Sequence, residues 1–374
     1  MEVSDIIDVV GISQGIILGI LIFLNRPDNS KTYTYLSLYL LSIGLTSALS
    51  VLEDWDVFLT YTWLYFAPVN FFFIFPVLLY LYTREVSGFP REQVTWKLFV
   101  PGILEFIVWS VLLGFALAGK APDLDSDAYA IFEGLYYLAA FIFMITYLIR
   151  VIRFITRVKK KAEDNFSSMT RKTLSWLRIG CFFLLATFLF PFIDEIEPGL
   201  EESTYYAEAL INSTMLFWLA IHGYKQTVVL NLQNRQPLAE SQPRVKVEPG
   251  QETKVIPLES DKVLFDQLTE LMTSKELFKR AELTLSELAS EMGLHQKQLS
   301  FIINHFAGKN FFNFVNEFRV KEAQNLLLDE KYAHLSVLGI AFEAGFNSKA
   351  TFNASFKKVT GQTPRQFKTS RQSA

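Results

Sequence analysis

The sequence holds one cysteine, Cys181, among its 374 residues. That excludes an internal disulfide and any cysteine-based zinc cluster. Histidine is nearly as scarce. His222, His295, His305 and His334 are scattered, with no acidic or thiol neighbours at ligand spacing, so no metal site is expected. There is no Gly-rich phosphate loop followed by Lys-Ser/Thr, and no nucleophile elbow is read in the chain. Without a catalytic constellation or a cofactor motif, an enzyme is not expected. Acidic residues are absent from the end of the chain. None follows Glu343, whereas Lys349, Lys357, Lys358, Arg365, Lys368 and Arg371 do. The formal net charge of -3 says little, because it averages two unlike halves.

What the chain does have is apolarity: 51% of it is hydrophobic, with 35 phenylalanines. Nearly all of the excess lies before residue 225. Apolar runs recur at the length of a bilayer span, about 20 residues. They are Ile6–Leu24, Thr32–Leu52, Thr62–Tyr82, Trp96–Ala118, Tyr129–Val151, Leu174–Phe192 and Tyr205–Tyr224. The last is interrupted by Glu208, Asn212 and His222. The first has no preceding basic residue and no clear small-residue cleavage site, so a cleaved signal peptide is not expected.

The connections alternate in charge. One set holds Arg26 and Lys31; Arg84, Arg91 and Lys97; Arg150 to Lys172; and Lys225. The other holds Glu53, Asp54 and Asp56; Asp123, Asp125 and Asp127; and Asp194, Glu195, Glu197, Glu201 and Glu202, with Lys120 as its one basic residue. Positively charged loops stay cytoplasmic. The pattern predicts an outside amino terminus, seven spans in a cell (inner) membrane, and a cytoplasmic carboxy-terminal half. The basic loop Arg150–Lys172 is expected to meet anionic lipid headgroups. Glu105 and Arg178 lie at comparable depth in the fourth and sixth runs, which makes them a candidate intramembrane pair, as fitting for a structural ion pair as for a ligand site. Asn70, Glu133 and Glu208 are further polar intruders, and Pro68, Pro76, Pro101 and Pro191 can bend spans. The run Phe71–Phe75 is expected to face lipid.

From 226 to 260 the chain turns polar and rich in Pro, Gly and Gln, which predicts a flexible linker. Helical periodicity returns with Leu264, Leu268 and Leu271. Two similar patterns follow, 285–306 and 336–360. In each, an alanine precedes a turn glycine by four residues: Ala289 and Gly293, then Ala341 and Gly345. Alanine lets two helices approach, and glycine takes the positive-φ turn between them. These are two expected helix-turn-helix units, joined by a helix from about Phe312 to Leu328. The fold class is therefore all-α: a seven-transmembrane bundle over 1–225, the linker, and a soluble helical domain over 261–374.

The joint pattern of Arg319-Val320, Ala323, Leu326-Leu327, Ile340-Ala341, Gly345-Phe346, Phe352, Phe356-Lys357-Lys358, Gly361 and Thr363-Pro364 resembles the DNA-binding domain of the AraC/XylS regulators. The resemblance covers roughly the last 110 residues; a membrane domain stands where that family usually has a sugar-binding cupin. It implies a chain that places the second helix of each unit in the major groove of double-stranded DNA. By matching positions, the first reading helix presents Gln296, Lys297, Ser300 and Phe301. The second presents Ser348, Lys349, Ala350, Thr351, Asn353 and Ala354. Lys297 and Lys349 suit guanine edges, Asn353 suits adenine, and Phe301 or Ala350 suits a thymine methyl. Lys357, Lys358, Arg365 and Lys368 suit phosphates, and the two adjacent lysines suit a solvated face equally well. Phe301 fits a small core as well as DNA, while Phe352 and Phe356 are expected in the core. The domain mixes acids with bases, so DNA occupancy is expected to call on a second protomer, a homodimer. The expected function is a membrane-embedded transcription regulator answering an unknown signal ligand. The alternatives are a transporter or intramembrane protein with a regulatory tail, and a scaffold whose helical pair binds protein.

Overall fold

The computed structural model describes residues 3–26, 30–55, 57–88, 96–124, 126–169, 174–189, 201–226 and 259–372. Among them every regular element is a helix, with a single antiparallel bridge, Phe166 to Thr284, and no strand. The linker residues 227–258 lie outside the described residues. So do Asp56, Arg91, Asp125, Arg171, Lys172, Pro191, Asp194, Glu195 and Glu197, on which part of the loop-charge reading rests. The chain divides into two compact units, and one boundary is unexpected. Residues 157–169 pack with the carboxy-terminal residues, whereas the sequence assigns them to the membrane half.

The amino-terminal unit contains α1 (Val3–Leu24), α2 (Lys31–Asp54), the short α3 (Val57–Thr60), α4 (Phe75–Ser87), α5 (Val100–Leu117), most of α6 (Asp127–Asn165), α7 (Ser175–Leu189) and α8 (Glu201–Lys225). Helix α1 packs on α2 and α8, α2 on α4, and α7 on α8. Where α1 meets α2, a Cβ built on Gly15 would stand 3.1 Å from the Gly44 Cα. Paired glycines of this kind let two backbones come close enough for dispersion to hold them. The spacing Gly11-Ile12-Ser13-Gln14-Gly15 has the form of a nucleophile motif, but it lies inside α1 and not at a strand-to-helix turn. Two stretches among the described residues are long and apolar enough to cross a membrane by length and composition, Trp96–Leu117 and Asp127–Asn165. Shorter apolar helical stretches are Val9–Leu24 and Ser175–Thr187.

The third apolar run is not one helix, as expected, but a broken one. Thr62–Phe66 forms a 3-10 turn, Ala67 is extended, Phe71 takes φ 53°, and α4 begins only at Phe75. Pro68 has no amide to continue a helix, and Pro76 sits in the first turn of α4, where a missing amide costs nothing. Phe72, Phe73 and Phe75 do not form a free lipid face. Their rings pack on Tyr136, Tyr137, Phe143 and Tyr39, and Phe75 is buried.

The carboxy-terminal unit contains 157–169, α9 (Glu259–Ser274), α10 (Leu285–Glu291), α11 (Gln296–Ile302), α12 (Phe311–Leu328), α13 (Val337–Glu343), α14 (Lys349–Thr360) and α15 (Pro364–Gln372). It has two cores. Leu268, Met272, Leu288, Leu299, Ile303, Phe314 and Val315 fill the first. Val320, Ala323, Ile340, Phe346, Phe352, Phe356 and Phe367 fill the second. Helix α12 contributes to both, so it is the spine between them. Each fully buried phenylalanine contributes roughly 1.5–3 kcal/mol.

Candidate nucleic-acid interface

Each helix pair is set by local chemistry. Thr284 caps α10 through a reciprocal pair: its hydroxyl accepts from the Glu287 amide at 3.2 Å, and the Glu287 carboxylate accepts from the Thr284 amide at 2.8 Å. Gly293, at φ 67°, turns the chain into α11. In the second pair, Ser336 accepts from the Gly339 amide at 3.0 Å and Ser348 from the Thr351 amide at 3.1 Å. Gly345 turns at φ 91°, and a Cβ there would lie 2.6 Å from the Phe278 carbonyl oxygen. Both the dihedral and the close approach demand glycine.

Helical geometry puts the expected reading residues on outward faces. On α11, Gln296, Lys297, Ser300 and Phe301 lie across from buried Leu299 and Ile302. Lys297 is exposed; Gln296, Ser300 and Phe301 are half-buried. The Ser300 hydroxyl accepts from Asn304 at 3.4 Å, and the Phe301 ring stacks on His305 at 5.7 Å. On α14, Ala350, Asn353, Ala354 and Lys357 lie across from buried Phe352, Ser355 and Phe356. Lys349, Ala350, Asn353, Lys357, Lys358 and Arg365 are exposed. Two residues have other work. The Ser348 hydroxyl is the cap of α14 and donates to Thr351 Oγ1 at 3.0 Å, so half-buried Thr351 shares that cap. Lys358 Nζ donates to Asn313 Oδ1 at 2.9 Å, which draws it toward α12.

The sequence reading missed the buried hub beneath these helices. Arg319 is 1% exposed, and among the described residues no carboxylate pairs with it. Its guanidinium donates to the carbonyls of Phe278 (2.7 Å), Arg280 (2.8 Å), Ala281 (3.3 Å) and Ser167 (2.9 Å), to Ser167 Oγ (3.1 Å) and to Asn316 Oδ1 (3.1 Å). Burial pushes its pKa down to about 10, with the Glu282 charge pulling it partly back, so it stays charged at neutral pH. Arg319 is visible in the sequence as part of the family pattern, but nothing there ties it to Ser167. Within the loop 150–172, Glu163, Asn165, Phe166, Ser167 and Ser168 contact the carboxy-terminal residues.

The proposed Glu105–Arg178 pair does not form. Glu105 accepts from the amides of Phe72 (3.0 Å) and Phe73 (3.2 Å) and from the Tyr136 hydroxyl (2.7 Å). The broken run leaves amides without helical partners ahead of α4, and the carboxylate takes them up. Arg178 is exposed and donates to Thr156 Oγ1 at 3.3 Å. Glu133, another polar intruder, accepts from Tyr65 at 2.9 Å.

The helix-turn-helix domain family matches residues 288–370. These residues are a helix-turn-helix domain. The chain is also similar to uncharacterized HTH-type transcriptional regulators of Staphylococcus aureus strains COL and N315. Each is 33% identical over 103 residues, 28% of this chain and 13% of the relative. The match thus spans about an eighth of the length of these curated relatives. A solved structure of a protein of unknown function from Listeria innocua is also similar. It is 25% identical over 29% of this chain and 95% of that one, with a TM-score of 0.25. The helix-turn-helix match begins within α10 and ends within α15, so it takes in both helix pairs and α12 between them.

Proposed function

We propose that the chain is a membrane-embedded transcription regulator whose helix-turn-helix domain binds promoter DNA from the cytoplasmic side. The observation that carries the DNA half is the pair of helices α11 and α14. Each turns a polar or basic face outward while its apolar face is buried in its own core. In this reading Lys297, Lys349, Asn353, Ser300 and Phe301 meet base edges. Lys357, Lys358 and Arg365 meet phosphates, which orient the domain without specifying sequence. Ser348 contributes by fixing the start of α14.

The membrane half of the proposal rests on length and exposure. Ile103, Leu104, Phe106, Ile107 and Val111 on α5, and Ile131, Leu135, Leu138 and Ile142 on α6, are 48% to 63% exposed. A continuous apolar face of that kind suits hydrocarbon better than water. Helices α1, α2 and α8, at 22, 24 and 25 residues, have the length of further spans. A seven-span topology, an outside amino terminus, homodimerisation and a sensed ligand belong to the same proposal. The seventh run is polar enough to need neighbours around it.

The test is binding of the full-length protein in lipid nanodiscs to sheared genomic DNA, eluted by a salt gradient and sequenced. Retained fragments sharing a motif, with affinity falling steeply as salt rises, are expected. Neutralising Lys357 should make that fall shallower for every fragment alike. Failure to retain DNA at low salt would contradict the proposal.

A further inference from the structure

The stretch that leaves α6 is threaded through the helix-turn-helix domain at the point where its parts converge. Asn165 Oδ1 accepts from Gln296 Nε2 at 2.9 Å, at the first residue of α11. Phe166 bridges Thr284, the cap of α10, and the Ser167 amide donates to the Leu283 carbonyl at 3.1 Å. Ser167 supplies two of the acceptors around Arg319 on α12, and its carbonyl also accepts from Asn316 at 3.4 Å. Ser168 Oγ accepts at 2.6 Å from Asn347, the residue before the cap of α14. Ser167 and Ser168 are 0% and 1% exposed, so this is interior structure and not a surface contact.

We propose that residues 165–168 are a clasp that sets α11 and α14 in register for DNA, with Asn165 and Ser168 as its positioning residues. This rests on the DNA-binding reading and deepens it. Each reading helix begins at the clasp: Gln296 through Asn165, and Ser348 through Asn347 and Ser168. The Asn165 amide nitrogen donates back to the Lys161 carbonyl at 2.7 Å, which leaves its oxygen facing Gln296. Gln296 keeps its carbonyl oxygen and a second N–H for an adenine edge or a phosphate. Arg319 makes withdrawal of the clasp costly, because a buried guanidinium would lose acceptors that no carboxylate replaces. The clasp begins on the last residue of α6, the longest apolar helix among the described residues. A change in α6 therefore has a route to the starts of both reading helices, covalent as far as the clasp and hydrogen-bonded beyond it.

Two double-mutant cycles test this, using full-length protein in nanodiscs and a fragment that the wild type retains. Asn165→Ala should weaken binding about three- to ten-fold, the effect of one hydrogen bond. That loss should vanish in a Gln296→Ala background. Ser168→Ala should behave the same way against Asn347→Ala. Hydrogen exchange of the α12 amides should stay as in the wild type, which separates positioning from loss of the fold. Equal losses in both backgrounds, or no loss, would overturn the clasp while leaving DNA binding intact. A wild type that retains no fragment would overturn the DNA-binding reading and the clasp with it.

Discussion

At the residue scale, two glycines that look equivalent in the sequence are not. Gly293 and Gly345 both sit at positive φ, but a side chain at Gly293 meets open space and one at Gly345 meets the backbone of Phe278 and Lys279. Gly293→Ala should cost about 1 kcal/mol from backbone strain alone. Gly345→Ala should cost more, roughly 3 kcal/mol or above, because the chain around 278–279 must shift as well. Denaturant unfolding of the full-length protein, followed by hydrogen exchange of the α10 to α15 amides, checks the order. Equal costs would contradict it. Arg319 offers a second comparison. Arg319→Met takes the guanidinium donors from the carbonyls of Phe278 and Ala281, leaves those of Arg280 and Ser167 with one donor each, and should cost at least about 3 kcal/mol. Arg319→Lys should not rescue it, since an ammonium cannot reach the same fork of acceptors. Recovery with lysine would show that charge, not geometry, is what the hub needs.

Elements were legible in proportion to how locally they are specified. Helices α10, α11, α13 and α14 announce themselves through Thr284, Gly293, Ser336, Gly345, Ser348 and Gly361, each acting on its own backbone neighbours. The third apolar run was legible as apolar but not as broken. Hydropathy reads length, and the break comes from Pro68, Phe71 and a carboxylate 33 residues away on α5. The Glu105–Arg178 pairing failed for a similar reason. Depth along a span does not say which face a side chain takes, and the amides ahead of α4 claimed the carboxylate first. The clasp was invisible because its side-chain hydrogen bonds to the helix-turn-helix residues cross 131 to 179 residues, and Asn165-Phe166-Ser167-Ser168 has no pattern of its own. One element-scale expectation follows from the caps. Ser348→Ala should destabilise the start of α14 by about 1 kcal/mol and speed exchange of the Thr351 amide, with α13 unaffected. Unchanged exchange at Thr351 would contradict the capping role.

At the scale of the whole molecule, the chain joins apolar helices to a helix-turn-helix domain, and the account stands on their acting together. Chromatin capture measures that most directly. The tagged full-length protein would be crosslinked in cells, the membrane fraction isolated and its DNA sequenced. Discrete peaks should be recovered with the membranes, and they should disappear when Lys349, Lys357 and Lys358 are neutralised together. DNA recovered only outside the membrane fraction, or peaks that survive the neutralisation unchanged, would contradict the claim that this is a membrane-held reader of DNA.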